Sequence, residues 1–170
     1  MTLALIKTET LVSNTNSISF TSIPSTYKDL YLLYNLRGTD AATRVPLYMT
    51  FNNNSSAIYS GVRGYAFESG LATDSGTTYT YIPLSSINAA GVSSNIFSPG
   101  EVYIFDYANG AMTTGKSITM ASNSASSAFV SSAGQFGWDS TAVVSSIQLF
   151  PAPGNNDLLA GSTASLYGIK

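Results

Sequence analysis

Carboxylates are the only acid–base side chains this sequence supplies for chemistry near neutral pH, because it contains no histidine and no cysteine. Thiolate nucleophiles, His-centred triads, disulfide frameworks and zinc fingers are therefore excluded. Two acids stand beside aromatic residues: Asp106, within Glu101–Tyr107, and Asp139, directly after Trp138. A carboxyl buried against such rings would have a raised pKa and act on a glycosidic bond. The competing expectation places both acids at strand ends or turns, where Asp is common. It carries more weight, since nine carboxylates in 170 residues leave few to line a catalytic cleft. The expectation is a protein that is not an enzyme.

Binding chemistry is better represented. Sugars stack on exposed Tyr and Trp rings, and Trp138, Tyr79, Tyr81, Tyr103 and Tyr107 would supply such a platform. Large aromatics in strands also fill cores and interfaces, so the same five residues are candidates for that role. Asn155, Asn156 and Asp157, with Asp40 and Asp74, hold oxygen ligands for a calcium ion but lack the spacing of a calcium loop. No metal or cofactor is expected. Asn53 and Asn54 stand in N-x-Ser sequences, a pattern short enough to arise by chance. Seven scattered cations against nine acids cannot build a phosphate-binding stripe, so nucleic acid is not an expected partner. No apolar run approaches the roughly 18 residues of a membrane span. The opening Met1–Lys7 lacks a basic n-region and a long apolar stretch, so no signal peptide is expected.

The elements that would position these residues are strands. Ser and Thr number 45 and Asn 12, while Lys, Glu and Arg are scarce, which removes the helix-favouring surface residues and leaves those of strands and turns. With 44 % hydrophobic residues and a net charge of −2, the chain is not of disordered composition. Alternating runs are predicted over 3–12, 18–20, 30–36, 47–51, 58–67, 78–84, 101–107, 116–121, 128–138, 143–150 and 164–169. Leu30–Leu36 is apolar on both faces, which predicts a central strand covered on both sides. Asn14-Thr15-Asn16 reads as a hairpin turn, 69–77 as a polar connection and 85–95 as holding one helical turn. The Ser/Ala-rich piece 121–134 is the one low-complexity segment. Together these predict an all-β fold: a single antiparallel β-sandwich over residues 1–170, jelly-roll-like, with ten or eleven strands.

Charged residues make up only 9 % of the chain, against about 25 % in ordinary soluble domains. So little charge suits a protein held in a neutral, permanent assembly.

The run Leu3-Ala4-Leu5-Ile6-Lys7-Thr8-Glu9-Thr10-Leu11, the segment Ser17–Leu30 around Ile23-Pro24-Ser25-Thr26-Tyr27, and the ending Ala160–Ile169 resemble small virion structural proteins of tailed phages, cyanophages included. That resemblance implies a capsid cement or decoration protein, or a tail-associated one, and carries no site residues with it. As cement, the chain would form a homo-oligomer, a trimer on three-fold axes, and bind the major capsid protein at capsomer junctions on the virion surface. Its ends, 1–12 and 164–170, would be extended arms able to add strands to a neighbour's sheet. The alternative is a tail or tail-fibre module that recognises host surface glycans through the exposed aromatics.

Overall fold

Period-two alternation sorts most of this chain into strands with one apolar face, and two sets of those faces close on each other. The computed structural model describes residues 2–67, 70–123, 128–154 and 156–170. Among them are twelve strands and no helix: β1 (Leu3–Thr10), β2 (Ile18–Phe20), β3 (Asp29–Leu36), β4 (Arg44–Phe51), β5 (Tyr59–Phe67), β6 (Gly70–Tyr79), β7 (Ile82–Asn88), β8 (Ser98–Phe105), β9 (Thr113–Asn123), β10 (Ala128–Trp138), β11 (Ile147–Pro151) and β12 (Thr163–Ile169). One sheet has eight strands in the order β1-β12-β3-β8-β9-β10-β5-β6, the other four in the order β2-β11-β4-β7. Every pairing is antiparallel.

With the meander β8–β9–β10 counted as one unit, the orders become β2-β11-β4-β7 and β3-meander-β5-β6. That is the double Greek key of a jelly roll, with β1 and β12 added beyond β3. The two terminal strands are not free arms. Leu3 pairs with Ile169 and Thr10 with Thr163, and β12 pairs on its other side with β3. The hydrogen bonds that β12 would offer a neighbour are therefore made within the chain.

Inner faces make the core. Leu30, Leu32, Tyr34 and Leu36 of β3 and Val45, Leu47, Met49 and Phe51 of β4 are all buried in one cluster. Trp138 lies edge-on to Phe51 (5.4 Å between ring centroids) and parallel to Tyr59 (6.4 Å), at the centre of it. Gly100 lets one aromatic cross a strand: a Cβ there would lie 2.3 Å from the Tyr34 ring, whose hydroxyl reaches Thr119 on β9. Arg37 is 4 % exposed, and its guanidinium donates to the carbonyls of Val92 (3.0 Å) and Ser93 (2.8 Å), which ties the loop between β7 and β8 to the end of β3.

Several expectations are corrected. Leu33, on the other face of β3, is exposed, so this strand is covered on one side only. The polar stretch 69–77 is not a connection; from Gly70 it forms β6, which pairs with β5. The predicted strand 78–84 divides there, because β6 ends at Tyr79 and β7 starts at Ile82. Ser85–Asn88 continues β7, and 89–95 holds hydrogen-bonded turns, with the Val92 amide donating to the Ala89 carbonyl, and no helix. Asn14–Asn16 is a crossover between sheets, with Thr15 bridged to Leu158. Part of the Ser/Ala-rich piece, 124–127, lies outside the described residues.

Trp138→Ala is expected to lower unfolding stability by about 3–5 kcal/mol, since it empties the aromatic centre of the core. Gly100→Ala should lower it by about 1–3 kcal/mol through the clash with Tyr34. Urea denaturation followed by fluorescence and circular dichroism measures both.

Candidate functional site

The five aromatics named from the sequence fall into three places. Trp138 and Tyr107 are 1 % exposed and belong to the core. The Tyr107 hydroxyl donates to the Pro24 carbonyl, and Trp138 is packed by Phe51 and Tyr59. Neither ring can present a face to a sugar, because each fills the space between the sheets.

Tyr79 and Tyr81 meet at the surface. The β6–β7 turn carries Tyr81 onto Tyr48, which stands on the outer face of β4 opposite Pro83. Tyr48 and Tyr81 stack at 3.9 Å with an interplanar angle of 22°. Tyr79 continues the stack at 6.3 Å and 13°, and Phe150 meets Tyr48 edge-on at 5.9 Å. Beside the rings, Arg63 donates to Asp74 Oδ2 from Nη2 (2.6 Å) and Nε (3.1 Å), and the Tyr79 hydroxyl donates to Asp74 Oδ1 (3.3 Å). The Arg63 guanidinium holds the Asp74 carboxyl below its usual range. Burial, then the neighbouring Tyr81 hydroxyl, pushes the Tyr48 phenol up to about 12. Half-buried rings beside a fixed guanidinium and carboxylate form a surface suited to a ring-shaped, hydroxylated ligand.

Tyr103 lies elsewhere, on the outer face of the eight-stranded sheet. Its ring is 6.2 Å from Tyr31 and 4.6 Å from Phe105, with Lys116 Nζ 5.7 Å from its centroid. Tyr31 donates to the Glu101 carboxylate, and Tyr103 donates to Asp29 Oδ2 (2.9 Å). The registers align one lateral row across all eight strands: Leu5, Tyr167, Tyr31, Tyr103, Lys116, Gln135, Val62 and Ser75. To one side of this row Leu33 and Ile118, then Met120 and Phe129 farther along β9 and β10, are exposed on the same face. An open groove of about 760 Å³ runs beside Lys116, where Gly137 on β10 carries no side chain.

The acids read from the sequence do not assemble. Asp106 sits in the turn after β8 with φ +46°, and both it and Asp139 are exposed. The buried carboxyl against aromatic rings is therefore not formed by either residue. Asp74 is engaged by Arg63 in the β5–β6 hairpin, whereas Asp157 bonds to Thr39, next to Asp40. Asn155 lies outside the described residues. Among the described residues no three Asp or Glu side chains converge on a metal position.

Tyr48, Arg63, Tyr31 and Lys116 were not singled out by sequence reasoning. Parity would have found Tyr48: it breaks the apolar alternation Leu47, Met49, Phe51 with a large ring on the outer side.

Comparison with known proteins finds no counterpart. No protein family, curated protein or solved structure matches this chain.

Burial also raises the Tyr31 phenol to about 12, with the Glu101 carboxylate adding to the shift. Unfolded phenols titrate near 10, so the folded state resists ionisation at Tyr31 and Tyr48. The stability this contributes is complete below about pH 10 and is lost as pH rises through about 12. An ultraviolet absorbance titration should leave a late-ionising fraction of phenols above about pH 11, and Tyr48→Phe should reduce it.

Proposed function

We propose that this chain is a non-enzymatic structural protein of a phage virion, a capsid cement or decoration protein that binds shell subunits at capsomer junctions. The observation that carries this reading is the outer face of the eight-stranded sheet, where the exposed Leu33 and Ile118 flank the Tyr31–Tyr103–Lys116 row on one side and the exposed Met120 and Phe129 continue the same face farther along β9 and β10. Monomeric proteins keep such contiguous apolar patches small, and larger ones mark interaction sites. Aromatic residues and Met on a face with few charges are the composition of interface cores. Docking would bury this face against the shell and oppose internal pressure by bridging neighbouring subunits. The jelly-roll order is in keeping with this, since viral capsid domains use it, although lectins do too. The resemblance of the chain's two ends to small tailed-phage proteins supplies the biological setting.

A second reading has its own observation. The Tyr79–Tyr81–Tyr48 stack beside Arg63 and Asp74 would serve a tail or tail-fibre module that binds host surface glycans.

Cosedimentation with empty shells separates the two. Ile118→Asp and Met120→Asp, both at exposed positions, should leave the fold intact and weaken shell binding at least about thirtyfold. Tyr81→Ala should leave shell binding unchanged. Full shell binding by the two Asp variants would sink the cement reading. Loss of glycan-array binding in Tyr81→Ala alone would establish the second. Electron cryo-microscopy of particles carrying the chain would then locate it on the shell or the tail.

A further inference from the structure

Four strands present an open edge: β1 and β6 on the eight-stranded sheet, β2 and β7 on the four-stranded one. Unpaired N–H and C=O groups on an edge are a template for another chain, and proteins blunt them with shortness, proline, charge or bulges. Three of the four are blunted in these ways. β2 is three residues long. β7 contains Pro83, is paired with β4 through a register shift, and lies against β9. β1 has a register shift between Leu5 and Lys7 and carries the Lys7–Glu9 ion pair.

β6 has one of these devices, a register shift opposite Tyr59–Gly61 at its Tyr79 end, and over residues 70–76 it has none. It is ten residues long, contains neither proline nor lysine, and keeps regular register with β5 from Gly61↔Gly76 to Phe67↔Gly70. Its one charge, Asp74, is already neutralised by Arg63 at 2.6 Å. Leu71, on an otherwise polar strand, is 87 % exposed.

We propose that β6 is a self-association edge, at which two copies of this chain pair antiparallel about a two-fold axis to join their eight-stranded sheets. The proposal concerns how copies meet one another and does not rest on the virion reading. Centring the axis on Thr73 places Gly70 opposite Gly76 of the second copy, Leu71 opposite Ser75 and Asp74 opposite Ala72, so no acid faces an acid. Because Ser75 pairs with Val62 within each chain, Leu71 enters the same lateral row as Val62 of the second copy and is covered from the side. The partner is a second copy because identical edges close after two under a two-fold, and no uncompensated charge on this edge repels its twin. An unrelated extended peptide is selected by pockets for its alternate side chains, and Ala72, Thr73, Ser75 and Gly76 are too small to build them. The three-fold trimer expected from the cement reading would need two different edges to meet, and β1, the other edge of the same sheet, is blunted.

Sedimentation velocity across about 1 µM to 1 mM should show the mass rising from 17.8 kDa to twice that value. Thr73→Lys and Thr73→Glu, at an exposed position, should each raise the dissociation constant at least about tenfold through like charges at the axis, and an equimolar mixture should restore the paired mass. Hydrogen exchange of the unaltered protein should slow over residues 70–76 as concentration rises, a readout that holds even if a variant folds poorly. A chain that stays monomeric to about 1 mM overturns the proposal. So does a trimer, pairing that survives Thr73→Lys, or protection confined to the outer face of the sheet. Shell binding measured on Thr73→Lys tests the virion reading separately.

Discussion

Two sheets of unequal width are the constraint on which this structure depends. Four strands cannot cover the inner face of eight, so about half of that face must be sealed by other parts of the chain or left to water. Loops do the sealing. Leu158, fully buried, is pinned to the crossover at Thr15 and to Gly38. Tyr27 lies over β12 where Gly168 has no side chain to obstruct it. On another flank the loop held by Arg37 presses Val92 inward. Among the described residues Arg37 has no carboxylate partner, and its role is geometric: two backbone carbonyls are satisfied and one loop is fixed. The sealing thins at β6, which is exposed on its outer face and only half-buried on the other, at Asp74, Gly76 and Tyr79.

The scarcity of charge has a structural counterpart. The few ionic groups are spent locally, as in Arg63–Asp74 and Lys7–Glu9, or beside aromatic rings, as Lys116 is with Tyr103. Little is left to act at long range. Association by such a surface rests on apolar area and backbone hydrogen bonds, which salt screens weakly. The outer face then differs from an ordinary solvent face in kind: tyrosine hydroxyls tethered to Glu101 and Asp29 keep it wettable, while the rings and aliphatic side chains keep it adhesive.

Strands with one apolar face were readable because alternation is a local signal, as in Val102 and Ile104 of β8 or Leu47, Met49 and Phe51 of β4. β6 was not, because the side it half-buries is formed by Asp74 and Gly76, which display no apolar alternation. The site was legible in part. Tyr79 and Tyr81 do lie together, but their partner Tyr48 arrives through the β4–β7 register, a long-range pairing that no window of sequence contains. Trp138, Tyr107 and Tyr103 have similar local surroundings, apolar and aromatic. What separates Trp138 from Tyr103 is which side of the sheet its strand turns inward, set by the other sheet, whereas Tyr107 has Tyr103's parity and is buried because the chain turns out of β8 at Asp106.

The pairing of β1 with β12 leaves residue 2 and residue 170 side by side, joined by a hydrogen bond from the Lys170 amide to the Thr2 carbonyl. The backbone is thus almost a closed ring. A short linker between those two points would allow the chain to be reopened at an exposed turn such as 109–112 with its sheets undisturbed. The two points lie together beside the β1 edge, at the far side of the sheet from β6.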